Sequence, residues 1–288
     1  MRTRRRRRRT RPTTPRRPST RPPPANPKKT KGQQSRARAD PTRRAPPTVG
    51  TTKTAGGRRP DRQKDPYVQH QQDSETATLY FSRNYNPRLA VAVARHLDAP
   101  VEYRFAAPFA PDQQERFRRL NPNLSLPILV EGGNALWEAD AIACRLSQMV
   151  GSDFWRSGDG LPDMIRWLSW AGWNFVRACD MVHFERVTKR RYDLGPTRQD
   201  VVDDGLAKLA AAAPILDAHL DGRQWLVGDS VSYADFRMAC VMPFQGLAGL
   251  PLAQYRNIAA WNARLEEIEA WRSPFAGLDA PELPPVKP

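Results

Sequence analysis

The chain has 288 residues, room for one or two compact domains, and a formal net charge of +16. That charge is unevenly placed: residues 1–75 hold 23 Lys/Arg against 5 Asp/Glu, whereas residues 76–288 come to a net −2. The overall basicity therefore says nothing about what the larger part binds. No apolar run approaches the roughly 20 residues that span a bilayer, and three cysteines without CxxC spacing argue against a disulfide framework or a zinc site.

Residues 1–75 also contain 12 of the 28 prolines, no Trp, no Phe and a single aromatic, Tyr67. Such a segment buries too little apolar surface to offset an ordering entropy of roughly 1–2 kcal/mol per residue, so a disordered basic extension is expected. Three roles stay open for it. The run Arg4–Arg9 suits nucleic acid or another anionic surface through phosphate neutralisation. The Ser/Thr-rich, acid-poor composition is that of a transit peptide, but an amphipathic apolar face is missing. The third role is none at all: translation from a later start, such as one at Val68, leaves the segment outside the native protein. With no hydrophobic stretch behind the arginines it fails as a secretory or twin-arginine signal, and a cytoplasmic location is expected.

From residue 77 the pattern changes. Ala77–Ser82, with Leu79, Tyr80 and Phe81, suits a buried strand. Pro87 fits the first turn of a helix that runs through 88–97 until Pro100. Val101–Phe105 reads as a second strand, Asp112–Leu120 as a short polar helix, and Leu126–Val130 as a third strand. Gly132-Gly133 marks a tight turn into a fourth strand, Asn134–Trp137, and Ala139–Met149 is a helix. The order is βαβαββα.

Beyond residue 160 strand signals cease. The spacing of Met164, Trp167, Leu168, Ala171 and Phe175 predicts one long helix over 162–187. A second spans 197–220 and is expected to kink at Pro214. Ser232-Tyr233-Ala234-Asp235 opens a third, with Asp235 in the place of the usual Glu of a capping box. A fourth covers 254–269, with Ile258, Trp261, Leu265 and Ile268 on one face.

A βαβαββα unit followed by an all-helical one resembles the cytosolic glutathione transferase family. Four stretches carry the resemblance. Leu120-Asn121-Pro122 with Leu126-Pro127-Ile128-Leu129 is similar to the family's N-P-x-x-x-V-P-x-L segment. Leu136-Trp137-Glu138-Ala139-Asp140-Ala141-Ile142 is similar to its E-S-x-A-I element. Trp225-Leu226-Val227-Gly228-Asp229 with Ser232-Tyr233-Ala234-Asp235 matches its L-x-G-D-x-x-[ST]-x-A-D signature, and Leu79-Tyr80 leads into a polar loop and Pro87. The resemblance implies a thioredoxin-like α/β domain at 76–150, an all-α helical bundle at 160–276 and a Pro-rich C-terminal tail at 277–288. It also implies a homodimer, detoxification of a small electrophile, and glutathione as co-substrate without a metal. Nucleic acid is a partner only through the basic extension, and no membrane is involved.

The same resemblance assigns site residues. Pro127 is expected in cis, freeing the Leu126 main chain to pair with the cysteinyl part of glutathione; otherwise Pro127 simply begins an edge strand. Glu138 is expected at the γ-glutamyl end, opposite an α-amino group, unless it only caps its helix. The family's next residue, a serine, is Ala139 here, so one hydroxyl bond worth about 1–2 kcal/mol is missing. Asp140 is expected in a structural or inter-subunit role, because a carboxylate there would repel the ligand's own. Tyr85, Ser82 and Asn86 are the groups available to stabilise the glutathione thiolate, Tyr85 being the first choice by position. Its alternative role is to cover the sheet edge. Trp170, Trp173, Asn174 and Phe175 are expected to wall the electrophile pocket, or else to pack the core. His183, His219 and the three cysteines read as structural, and Lys189-Arg190-Arg191 as a solvated loop cluster.

Overall fold

A computed structural model of the chain describes residues 76–287. The readings made of the basic extension lie outside the described residues.

Four strands form one sheet in the order β2-β1-β3-β4: β1 (Ala77–Phe81), β2 (Val101–Phe105), β3 (Ile128–Glu131) and β4 (Asn134–Trp137). Strand β1 is buried along its whole length because it is central. It runs parallel to β2 and antiparallel to β3, which in turn pairs antiparallel with β4. The parallel pair needs a crossover, supplied by α1 (Tyr85–His96). The β3–β4 connection is a two-residue hairpin, Gly132 and Gly133 with φ of 53° and 80°, a turn that favours glycine at both places.

Alternation along the strands divides the residues between two cores. Leu79, Phe81 and Leu129 pack with the buried face of α1 and with Ile142, Ala143 and Leu146 of α3 (Ala139–Val150), in a core continuous with the helical part. Tyr80, Ile128 and Val130 face the other way, onto Phe117 of α2 (Gln114–Leu120).

The helical part begins with α4 (Leu161–Trp173) and α5 (Phe175–His183). The single helix predicted over 162–187 is broken at Asn174, whose φ and ψ are −121° and −90°. The cause is local: the main-chain N of Asn174 still makes the helical bond to the Trp170 carbonyl at 2.9 Å, but its side-chain Nδ2 donates to the same carbonyl at 3.0 Å. Asn side chains compete with the helix ladder in this way. A π-helical turn at Phe184–Thr188 and the short α6 (Lys189–Tyr192) follow. The Glu185 side chain within that turn is buried and accepts from the Arg198 main chain at 2.8 Å while pairing with Lys189 at 2.8 Å.

Helix α7 (Gln199–His219) contains Pro214 and lies against α5 through Gly205. A Cβ at Gly205 would sit 2.9 Å from a Val182 methyl, so the approach of the two helices requires the missing side chain there. Then come α8 (Tyr233–Ala239), α9 (Gln245–Ala248), α10 (Arg256–Glu266) and α11 (Glu269–Arg272). The predicted capping box at α8 is present. Asp235, fully buried, accepts from the Ser232 N–H at 2.9 Å, the Ser232 hydroxyl at 3.0 Å, the Leu226 N–H at 2.9 Å and Trp261 Nε1 at 3.0 Å.

Residues 277–287 carry no helix or strand but are tied back onto the body. Arg83 donates to the Ala280 carbonyl at 2.9 Å and pairs with Glu282 at 2.8 Å; Arg191 donates to the Pro284 carbonyl at 2.8 Å. Arg191 is therefore buried, contrary to the solvated loop expected for residues 189–191, because the C-terminal segment lies over it. No helix among the described residues is long and apolar enough to cross a membrane.

Candidate functional site

Strand register gathers the predicted residues at one end of the sheet. Tyr80 pairs with Ile128, and Ile128 pairs with Trp137. Carried one and two residues further, the same registers set Ser82 opposite Leu126 and Glu138 opposite Pro127. The exits of β1 and β4 thus flank the entry to β3.

The Leu126–Pro127 bond is cis. The Leu126 main-chain N–H and C=O make no hydrogen bond within the described residues, so this stretch of edge is not filled by the protein's own chain. Glu138 stands at the N-cap of α3 but makes no side-chain bond to the helix, and it is exposed. Its φ of 73° with ψ of 127° is a conformation that costs of order 1–3 kcal/mol for a residue with a Cβ. Simple capping does not account for this residue. Ala139, 3% exposed, fits closely behind it and brings no hydroxyl.

The start of α1 presents the three thiol-stabilising candidates differently. Ser82 is half-buried at the end of β1. The Tyr85 ring is turned to the helical part, 4.5 Å from the rings of both His183 and Phe244, and its hydroxyl is sealed from solvent with no hydrogen-bond partner among the described residues. Burial, and next the Asp180 charge, push the phenol far above its ordinary pKa. Asn86, in the first turn of α1, is half-buried; its Oδ1 accepts from Arg237 of α8 at 3.1 Å. The other face of its amide, Nδ2, makes no hydrogen bond within the described residues.

Arg237 was missed by sequence reading. It also forms an ion pair with Asp140 at 3.1 Å, and Asp140 accepts the Tyr233 hydroxyl at 2.6 Å. Asp140 is thus held structurally within the chain. One turn of α8 is bonded in this way to the starts of both α1 and α3. The only sequence signal was an arginine two residues after the capping Asp235, inside an otherwise apolar helix.

The four residues expected to wall an electrophile pocket do not share one surface. Phe175 is in the core, Trp170 is half-buried with its ring 5.4 Å from that of Trp167, and Trp173 is 84% exposed beside the exposed Asn174. The break at Asn174 redirects the chain between them. His183 is buried against Tyr85, and burial, with Arg191 beside it, pulls its pKa down to about 4. His219 bonds the Leu226 carbonyl at 2.9 Å. Cys179 and Cys240 are buried, with thiol pKa values pushed up mainly by desolvation. Among the described residues no group of His, Cys, Asp and Glu could hold a metal.

Residues 75–146 match the family model described as glutathione S-transferase, N-terminal domain, and residues 178–269 the one described as glutathione S-transferase, C-terminal domain. The chain belongs to the glutathione S-transferase family. A curated relative, glutathione S-transferase stcT of Emericella nidulans, is 29% identical over 201 residues, covering 66% of this chain and 87% of that protein. Human glutathione-S-transferase T1-1 in its apo form aligns with a TM-score of 0.63 at 22% identity, over 74% of this chain and 93% of its own. Glutathione S-transferase-I bound with lactoylglutathione gives 0.62 at 21%, over 70% and 99%. Ure2p in complex with glutathione gives 0.59 at 18%, over 69% and 97%. These structural likenesses are of fold. They agree with the thioredoxin-like sheet followed by helices.

Proposed function

We propose that the protein binds glutathione at the sheet end formed by Ser82, Leu126 and Glu138 and adds its thiolate to a small electrophile. The observation that carries this reading is the open main-chain edge at Leu126, flanked by two polar groups with unused bonding capacity, Asn86 and Glu138. An extended tripeptide pairs with such an edge as an added strand does, through main-chain N–H and C=O. The Glu138 carboxylate suits the α-amino group of the γ-glutamyl residue, and the first N–H groups of α3 suit its α-carboxylate.

Of the three candidates for the thiol, Asn86 is the group whose free donor meets an incoming sulfur. The Tyr85 hydroxyl points into the helical part, and Ser82 stands one loop earlier. An N–H donor on the sulfur, together with the positive end of α1, favours thiolate over thiol. The proton leaves to water. The sulfur lone pair then forms the S–C bond while the leaving group departs with its bonding electrons, or, in an addition, the electrons move into the acceptor. Holding both reactants together supplies the rest of the acceleration.

One observation favours a second reading, a family member that binds glutathione without useful turnover: Ala139 leaves the γ-glutamyl carboxylate without a hydroxyl partner. Retention on immobilised glutathione followed by an assay with a general aryl halide separates the two. Retention with turnover supports the transferase, and retention without turnover selects the binding protein. Failure to be retained removes the ligand from both.

A further inference from the structure

The guanidinium of Arg237 stands between the two ends of the proposed glutathione site, although it comes from the helical part. It donates from one Nη to Asn86 Oδ1 at 3.1 Å, and its Nε lies 3.1 Å from Asp140 Oδ1, at the second residue of α3. A guanidinium only donates hydrogen bonds. The Asn86 amide must therefore turn its oxygen toward Arg237 and its NH2 group away from it. In the described residues that NH2 has no acceptor, and Asn86 is half-buried in the first turn of α1. Without such a partner the amide is free to rotate by half a turn and present its oxygen, an acceptor that would repel a thiolate.

Arg237 is itself fixed from behind. Asp140, which receives the Tyr233 hydroxyl at 2.6 Å, holds the guanidinium, and the Cys240 sulfur lies 3.6 Å from the same Nη that bonds Asn86. The charged and titratable groups around it are Asp140, Tyr233, Cys240 and Asp180. Burial pushes the Tyr233 and Cys240 pKa values up, so both are neutral near pH 7. The Arg237 side chain is only 16% exposed, so its charge acts in a setting where water screens it weakly.

We infer that Arg237 is a positioning residue for thiol ionisation: it locks the Asn86 amide with its NH2 toward the glutathione sulfur and sets a positive charge one hydrogen bond behind it. The inference rests on glutathione binding as proposed above. It makes α8, through Arg237 in its last turn, part of the reaction machinery by way of Asn86, without contact between Arg237 and the sulfur.

The test uses the full chain with glutathione, reading the ultraviolet absorbance of bound thiolate against pH, with kcat and KM for an aryl halide reaction. Arg237→Met should raise the pKa of the bound thiol by about one unit and lower kcat about tenfold at neutral pH, with KM for glutathione little changed. Arg237→Lys, which keeps a donor, should recover part of both. Combined with Asn86→Ala, Arg237→Met should add almost nothing, since both remove one device. Asn86→Asp guards against a folding artefact: it keeps or strengthens the link to Arg237 yet removes the donor, so it should fold normally and lose the thiolate signal. The inference is overturned if Arg237→Met folds and leaves the thiol pKa unchanged, if the two substitutions add in full, or if Asn86→Asp ionises glutathione like the wild type. Absence of any thiolate band in the wild type would remove the proposed function itself, and this inference with it.

Discussion

Helices α1 and α8 are bonded to each other through Asn86 and Arg237, and their first turns are treated in opposite ways. At α8 one buried carboxylate, Asp235, answers four donors from the chain itself: two from Ser232, one from Leu226 and one from Trp261. At α1 the first turn holds no acid, Asn84 makes no cap bond, and Pro87 removes a donor while the N–H groups of Tyr85 and Asn86 have no intrahelical acceptor. The difference separates a helix start whose donors are answered by the chain itself from one whose first donors have no side-chain cap. Arg237 connects them, two residues past Asp235 and bonded to Asn86.

The largest effect should follow from damaging the satisfied end. Asp235→Ala strands four buried donors, and urea unfolding should show a loss of about 3–5 kcal/mol. A loss below about 1 kcal/mol would mean that the box is decoration. At the open end the pattern should invert. Asn86→Ala should cost about 1 kcal/mol or less in stability and about 10- to 100-fold in kcat, the worth of one hydrogen bond to a charged group. Equal losses of stability at both ends would erase the contrast.

His183, packed at a tilt against the ring of Tyr85, gives a smaller effect with a definite sign. Its folded pKa, about 4, lies below the ordinary 6.5. The unfolded chain therefore binds the extra proton first, so the stability due to keeping this ring neutral is fully present above pH 6.5 and is lost as pH falls toward 4. Between pH 7 and pH 5 the loss should be roughly 2 kcal/mol, and His183→Gln should flatten the profile in that window. The smallest effect concerns the third helix start. Ala139→Ser restores a hydroxyl at α3 and should tighten glutathione binding by about five- to tenfold, as read by calorimetry; unchanged affinity would place the γ-glutamyl carboxylate elsewhere.

Much of the architecture could be read from local chemistry. The alternation of Leu79, Tyr80 and Phe81, the paired glycines 132 and 133, and the Ser232–Asp235 spacing each point to one backbone solution, and each is found. The break at Asn174 escaped because the apolar period continues across it through Phe175, Cys179 and Val182. What interrupts the helix is a single side-chain bond to the Trp170 carbonyl, which periodicity does not register. Arg191 read as a solvated charge because its cover, the carbonyl of Pro284, lies 93 residues away. The neighbourhood of the candidate site residues was legible in outline for a related reason. Leu126, Pro127 and Glu138 are placed by main-chain register, whereas the facing of Tyr85 and the reach of Arg237 depend on tertiary packing between the sheet and the helices.

The most direct trial of these claims is a calorimetric titration of the full chain with glutathione, comparing wild type, Glu138→Ala and Asn86→Ala. The expected outcome is saturable binding by the wild type, binding weakened about tenfold or more by Glu138→Ala, and binding nearly intact but with less proton release in Asn86→Ala. A wild type that gives no saturable heat would contradict the account at its root.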